Sequence, residues 1–317
     1  MHAATVIHKH IQKAHKILIV PHQNPDGDAI GSAAAFHEYA RSLGREAQIF
    51  CVTPPNPKLS FVHHSAPIYS DPAIFKDPSI DTIVTLDSGD LRYSGIAELV
   101  KGHRATIINI DHHASNENYG DINLVIPTAA STTEILFRFF RHNSIRISQK
   151  MATSLLTGLS TDTSNFTNAA TTGDALRAGG ELILAGGNFN LITSNTLKNK
   201  SIGSLRLWGK AFSRLTKDER LNLTHTYVTQ ADIKELGVSE SEYEGISNFL
   251  NNLENTSITL LLSETADGKI KGSLRTTKND VDVSAIAKKF NGGGHKKAAG
   301  FTVDGTLEEV LGKILTA

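Results

Sequence analysis

Three aliphatic runs in the first half of the chain each end in acids or imidazoles. Ile17-Leu18-Ile19-Val20 leads into His22-Gln23-Asn24-Pro25-Asp26-Gly27-Asp28, Thr82-Ile83-Val84-Thr85-Leu86 into Asp87, and Thr106-Ile107-Ile108-Asn109-Ile110 into Asp111-His112-His113. Short apolar runs bounded by turn residues are buried strands, and helical segments between such strands argue for a parallel sheet. In open parallel sheets the ligand crevice lies outside the carboxyl ends of the strands. Three such ends therefore gather Asp and His in one place. Taken singly, each stretch has a plainer reading: Asp28 as a helix cap, His112-His113 as a surface pair like His63-His64, and Asp162 in Ser160-Thr161-Asp162-Thr163 as an N-cap. Turn chemistry does not readily produce all of them on separate strand ends.

Read in order, the first half alternates strand (Lys16 to Val20), helix (Ile30 to Ser42) and strand (Gln48 to Val52), broken by Thr53-Pro54-Pro55-Asn56-Pro57. Strand Thr82 to Leu86, helix Gly95 to Lys101 and strand Thr106 to Ile110 follow. After Thr132 the pattern turns helical, at Glu134 to Arg141, Gln149 to Leu159 and Asp174 to Ala185, the last stopped by Gly186-Gly187. Leu197, Ile202, Leu205, Trp208 and Phe212 recur at helical spacing, which makes Leu191 to Leu215 a connecting helix or helix pair. Beyond it, strands at Leu221 to Val228, Ser257 to Ser263 and Ile270 to Arg275 lie closer together, and Ala266-Asp267-Gly268 reads as a hairpin turn. Helices are expected at Glu240 to Leu253, Ser284 to Phe290 and Leu307 to Leu315. The fold class is α/β: a doubly wound, mainly parallel N-terminal sheet over 1–188, a helical linker over 189–216, and a smaller mixed domain over 217–317.

The 32 basic and 32 acidic side chains balance, so no overall field draws the chain to DNA or an anionic membrane. Cys51 is the single cysteine; no intramolecular disulfide can form, and a cytoplasmic location is expected. No apolar run approaches the length of about 20 residues that spans a bilayer.

Asp and neutral His suit hard or borderline divalent ions, and one cysteine rules out a thiolate site. His22, Asp26, Asp28, Asp87, His112 and Asp162 would supply six ligands, four of them anionic, which balances two divalent cations. Two-ion sites hydrolyse phosphate esters by acidifying water and clamping both oxygens, with Asp87 on the middle strand end as the bridge. A second stretch that packing does not explain is Asn291-Gly292-Gly293-Gly294-His295-Lys296-Lys297; it reads as a glycine-rich turn that could offer backbone N–H groups to an anion.

In this order, His-x-Asn-Pro-Asp-x-Asp, a strand-end Asp, Asp-His-His and Thr-Asp-Thr resemble the four motifs of the DHH phosphoesterase superfamily. Gly-Gly-Gly-His followed by Ala-Ala-Gly resembles the signature of the DHH-associated substrate domain, and the likeness covers essentially the whole chain. The resemblance implies that His22, Asp26 and Asp87 hold one manganese and Asp28, Asp87, His112 and Asp162 the other, with Mg or Co as alternatives. It implies that His113 faces the scissile phosphate, that Asp111 supports the histidines, and that Arg275, Gly293, Gly294 and His295 bind the substrate. The group it most resembles, the nano-RNase and pAp phosphatases, degrades very short RNA and removes the phosphate from 3′-phosphoadenosine 5′-phosphate (pAp). The expected chemistry is in-line attack on phosphorus, with the ions and His113 stabilising the added charge and the leaving ribose oxygen taking a proton from His113 or solvent, while the second domain closes over the nucleotide. The competing readings are a pApA or cyclic di-AMP phosphodiesterase, a single-strand exonuclease and a non-catalytic nucleotide sensor; a homodimer is expected. One departure stands out: Ser164 occupies the place after Asp-Thr where many relatives carry Gly.

Overall fold

The computed structural model describes residues 2–64, 66–197, 200–243 and 245–316, which fall into two compact units, Met1–Asn199 and Lys200–Ala317. The first unit runs α1 (His2–Ile11), β1 (Lys16–Pro21), α2 (Gly27–Ser42), β2 (Glu46–Phe50), β3 (Ile68–Tyr69), β4 (Ile80–Leu86), β5 (Thr106–Asp111) and β6 (Ile122–Val125). Four helices follow: α3 (Thr132–His142), α4 (Gln149–Asp162), α5 (Gly173–Leu184) and α6 (Phe189–Thr196). Among the described residues its sheet has six strands in the order β3-β2-β1-β4-β5-β6, every neighbouring pair parallel. Strand order reverses between β1 and β4, and the crevice of such a sheet opens at that point.

Both faces of this sheet are covered, which is why its strands read as unbroken apolar runs. Ile17 and Ile19 of β1 point toward a core shared with Ile30 and Phe36 of α2, Phe139 of α3 and Leu155 of α4, while Leu18 and Val20 pack the other way against Phe50, Phe75, Ile96 and Val100. The helix expected at Gly95 to Lys101 does not form. Gly95 and Gly102 both adopt left-handed backbone, with φ of +75° and +74°, and the residues between them make turns in which Val100 N–H still reaches Ile96 C=O. The apolar spacing there satisfies burial without a full helix. Helix α1 was not anticipated; Ala4, Ile7 and Ile11 lie on one of its faces and are buried.

The second unit comprises α7 (Ile202–Ser213), β7 (Thr216–Asp218), β8 (Leu223–Val228), α8 (Gln230–Leu236), α9 (Ile246–Leu250), β9 (Ile258–Glu264), β10 (Ile270–Arg275), α10 (Val283–Lys288), β11 (Gly293–His295), β12 (Ala298–Val303) and α11 (Leu307–Thr316). Its sheet has the order β11-β12-β10-β9-β8-β7, with only the β8–β9 pair parallel among the described strands. Leu260 and Leu262 of β9 enter the core beneath α10 and α11, and Leu261 enters the one beneath α7, α8 and α9. The stretch expected to connect the domains forms two helices, α6 in the first unit and α7 in the second. The single helix expected at Glu240 to Leu253 is interrupted: a short 3-10 turn, Glu240–Tyr243, precedes α9, which starts after Gly245 at φ +95°. The glycine-rich stretch is also more regular than a turn, since Gly293–His295 forms an edge strand against β12. Among the described residues no helix is long and apolar enough to cross a membrane.

Candidate functional site

At the carboxyl ends of β1, β4 and β5 the expected side chains meet. His22 follows β1, Asp87 follows β4, and His112 and His113 follow β5, while Asp26 and Asp28 stand at the start of α2 and Asp162 ends α4. Asp26, not Asp28, caps α2, accepting from the N–H groups of Asp28 and Ala29 at 3.0 and 3.1 Å. Asp28 is thereby freed to point inward. Asp162 is a C-terminal helix residue and caps nothing.

Close packing of α2 on α4 brings Asp28 and Asp162 together, and glycine makes that approach possible. A Cβ on Gly31 would lie 2.5 Å from Ser154 C=O, and one on Gly158 would lie 2.5 Å from the Asp28 carboxylate. Asp87 sits in left-handed backbone at φ +58°, a conformation Asp tolerates better than most side chains, with its N–H bonded to Ile110 C=O. That turn carries the carboxylate off the strand and into the crevice.

The distances suit ions better than direct pairing. His22 Nε2 stands 3.7 Å from Asp26 Oδ1 and 3.6 Å from Asp87 Oδ2, and His112 Nε2 stands 3.5 Å from Asp87 Oδ1 and 3.4 Å from Asp162 Oδ2. These are too long for hydrogen bonds. Donors bonded at about 2.1 Å to one ion stand about 3.0 Å apart at octahedral angles and about 3.4 Å at tetrahedral ones. Both imidazoles direct Nδ1 at a backbone carbonyl, His22 at Gln23 (2.7 Å) and His112 at Ala129 (3.4 Å). Their Nε2 atoms thus face the carboxylates, the arrangement that orients a metal-binding histidine. The closest-spaced donor groups are His22, Asp26 and Asp87; Asp28, His112 and Asp162; and Asp87, His112 and His113. Asp87 is shared by the first and the last.

Electrostatics point the same way. Burial, followed by repulsion from Asp87, pushes the Asp28 carboxyl up to about 7, and burial with repulsion from Asp26 pushes Asp87 up to about 6. Asp162 is likewise driven far above its ordinary value, first by burial and then by Asp28. Burial alone would lower His22, but Asp26 and Asp87 outweigh it and hold the imidazole up at about 9. Such a cluster retains protons that divalent cations would displace. His113 has a different setting. Its Nδ1 is 2.7 Å from Asp111 Oδ1, and that contact overcomes burial to raise the ring to about 8.

Two further residues shape the site and lie outside the motifs. The N–H groups of Thr132 and Thr133, at the start of α3, donate to the two oxygens of Asp28 at 2.6 and 2.9 Å, and Thr132 Oγ1 donates to Asp87 Oδ1 at 3.0 Å. The Ser131-Thr132-Thr133-Glu134 stretch was readable as a helix start, because Ser131 Oγ accepts from Glu134 N–H.

The chain after Asp162 is strained. Ser164, Asn165 and Phe166 have φ of +49°, +57° and +62°, three successive left-handed residues without a glycine. Ser164 thus adopts the conformation that glycine would take at less cost. Phe166 packs its ring on Gly179 of α5 and on the first unit's core.

In the second unit, register places Arg275, Ala298 and His295 side by side across β10, β12 and β11, and Ser273, Gly300 and Gly293 in the next row on the same face. Arg275 is held by Asn248, whose Oδ1 accepts from Nε at 3.0 Å. Gly294 pairs with Ala299 and belongs to the opposite, core-facing side. Lys297 turns away to Lys278 C=O and Asn279 Oδ1.

Residues 16–159 match the family model "DHH family, N-terminal domain", and residues 222–317 match the "DHHA1 domain". A bifunctional oligoribonuclease and PAP phosphatase NrnA from Thermus thermophilus is 32% identical over 95% of this chain and 88% of its own length. The chain belongs to the DHH family. A Bacillus subtilis protein of the same name is 27% identical over 90% of this DHH chain and 89% of that protein. The crystal structure of an exopolyphosphatase-related protein from Bacteroides fragilis superposes with a TM-score of 0.91 at 26% identity, covering 99% of this chain and 94% of that one. RecJ from Thermus thermophilus, solved with Mn2+, shares the fold at a TM-score of 0.56 and 13% identity, covering 99% of this chain and 53% of that one. Family membership and the donor set together make this a divalent-metal protein.

Proposed function

We propose that this DHH protein is a two-metal, manganese-type phosphoesterase that hydrolyses very short RNA oligonucleotides to mononucleotides and pAp to AMP. The observation that carries this reading is the meeting of six Asp and His donors at the strand-order reversal, spaced for shared ions rather than for hydrogen bonds. The substrates are those in the names of the Thermus and Bacillus relatives, which this chain matches over nearly its full length. Such substrates make the cytoplasm the working compartment.

His22, Asp26 and Asp87 would hold one ion, and Asp28, Asp87, His112 and Asp162 the other. Bound there, divalent cations would supply Lewis acidity toward a phosphoryl oxygen and lower the pKa of nearby water. The chain's own groups do the rest. Asp87, with one oxygen on each side of the crevice and Thr132 Oγ1 fixing its rotation, keeps the two halves of the donor set in register. His113, beside Asp87 and tied to Asp111, meets the charge that develops on phosphorus and delivers a proton to the leaving ribose oxygen. In the second unit the row of Gly293, Gly300 and Ser273, exposed at Gly293 and half-buried at the other two, admits a ligand close to the backbone, with Arg275 and His295 in the adjoining row to take a terminal phosphate. Gly294, whose Cβ position is blocked at 2.6 Å by Ala298 C=O and by the Ala299 Cα, supports that row from behind.

The chain would act as a homodimer. Leu176, Ile183 and Leu184 form an exposed apolar stripe along α5, with Leu184 89% exposed, and a second copy is the partner that such a stripe fits in an otherwise charge-balanced protein.

Initial rates on pAp, pApA, cyclic di-AMP and RNA of two to five nucleotides, with Mn2+ and then with excess chelator, test the reading. Chelator-sensitive release from pAp and the shortest RNAs is expected. Faster turnover of pApA or cyclic di-AMP would reassign the substrate, and no release from any of them would overturn the hydrolase.

A further inference from the structure

The supports of His113 continue past Asp111 to a side chain in none of the motifs. Asp111 is fully buried, and each of its carboxylate oxygens has one partner: Oδ1 takes His113 Nδ1 at 2.7 Å, and Oδ2 accepts from Asn116 Nδ2 at 2.6 Å. The same Asn116 amide donates to Ser88 C=O at 3.1 Å, and Ser88 directly follows Asp87. On its other side, Asn116 Oδ1 accepts from Asn109 Nδ2 at 2.9 Å and from Asn118 N–H at 2.7 Å. Asn109 lies inside β5 and also donates to Asn123 of β6 at 2.9 Å.

We propose that Asn116 is a positioning residue for His113, acting through Asp111; the proposal rests on the hydrolase reading above. A carboxylate held at one oxygen can swing about its Cβ–Cγ bond. Held at both, it has one orientation, and the imidazole bonded to it has one ring plane and one tautomer, with the proton on Nδ1. Only a primary amide fits between these neighbours. Asp111 and Ser88 C=O can only accept and the Asn118 N–H can only donate, so the Asn116 amide is required to present nitrogen on one side and oxygen on the other. A carboxylate in its place would set a second negative charge against the fully buried Asp111. Because the amide also grips the residue after Asp87, it ties the ring of His113 to the backbone that carries the shared metal ligand.

Asn116→Ala removes the whole cross-brace, whereas Asn116→Asp keeps the size and the acceptor, loses the donor to Asp111 and to Ser88 C=O, and sets a negative charge against Asp111. With folding checked by circular dichroism, both variants should lose about 10- to 100-fold in kcat on pAp, the usual effect of removing an outer partner of such a site. KM and the Mn2+ dissociation constant, the latter measured by calorimetry without substrate, should stay within about threefold. In the metal-free protein, at a pH above the raised value of about 8 for this ring, nitrogen NMR of labelled imidazoles should give His113 a single Nδ1-protonated form in wild type and a mixture in the variants. The proposal is overturned if kcat is unchanged in both variants, if Mn2+ affinity falls in step with kcat, or if the tautomer does not move. A wild-type enzyme inactive on every substrate defeats the hydrolase reading instead, and leaves the imidazole spectrum to decide the role of Asn116.

Discussion

At the ends of β1, β4 and β5, five carboxylates and three imidazoles crowd one crevice, whereas on one face of β10, β12 and β11 the row from Ser273 through Gly300 to Gly293 carries almost no side chain. The first face is electrostatically frustrated without cations. Its protonation equilibria are displaced because buried negative charges repel one another and burial penalises each of them. The second face stores no such penalty; it is shaped by absence, and Arg275 and His295 stand beside the gap rather than in it. The catalytic centre and the grip proposed above thus follow opposite construction rules, one unstable until loaded, the other preformed.

The largest expected effects come from relieving the frustration. Asp87→Asn should lower kcat on pAp about a thousandfold or more. It should also stabilise the metal-free protein by about 3 kcal/mol at about pH 8, as read by denaturant titration. The sign follows from the shift: a carboxyl raised to about 6 in the folded state contributes stability below its unfolded value near 3.8, and that contribution is lost as pH rises through about 6. A variant that loses activity without gaining metal-free stability would break the contrast between the two faces. Metal affinity should also fall as pH drops, because Asp28 near 7 and Asp87 near 6 must release protons to bind an ion. Calorimetry between about pH 8 and about pH 5.5 should show at least about a tenfold weakening of Mn2+ binding, with proton release.

On the grip face the effects should be smaller and confined to binding. Arg275→Ala should raise KM for pAp about tenfold and leave kcat within about threefold, since only a charge-assisted contact is lost. Gly293→Val sharpens the test: a Cβ there meets nothing within 4 Å, so the protein should fold and melt as wild type while KM rises. The smallest change is Ser164→Gly, which should stabilise the first unit by about 1 kcal/mol and leave kcat unaltered, because the left-handed backbone at φ +49° no longer carries a Cβ.

Much of the first unit was legible because its strands are buried on both faces and its proposed ligands lie mostly at strand ends. Where the reading failed, a glycine in left-handed backbone usually decided the outcome. Gly95 and Gly102 turned an expected helix into turns, and Gly245 split another. Edge strands β3, β7 and β11 are only two or three residues long, too short for any alternation to be seen. Around the site, Asp26 rather than Asp28 proved to be the helix cap, and the contributions of Thr132 and Asn116 had no linear signature, because each acts on residues more than a motif's length away or through a carboxylate that only folding places beside it.

The order of apolar runs and the acids and imidazoles that end them were enough, by themselves, to specify a parallel sheet with a charged crevice, because burial of both faces and the chain direction of strand–helix–strand units are local consequences of residue type. Which oxygen faces which nitrogen was settled only in three dimensions. Gly31 and Gly158 let α2 approach α4, α3 delivers two N–H groups to Asp28, and the turn at Asp87 brings its carboxylate within 3.6 Å of two histidines far apart in sequence. Packing distances of that kind depend on backbone contacts between distant segments, which no single stretch of sequence encodes.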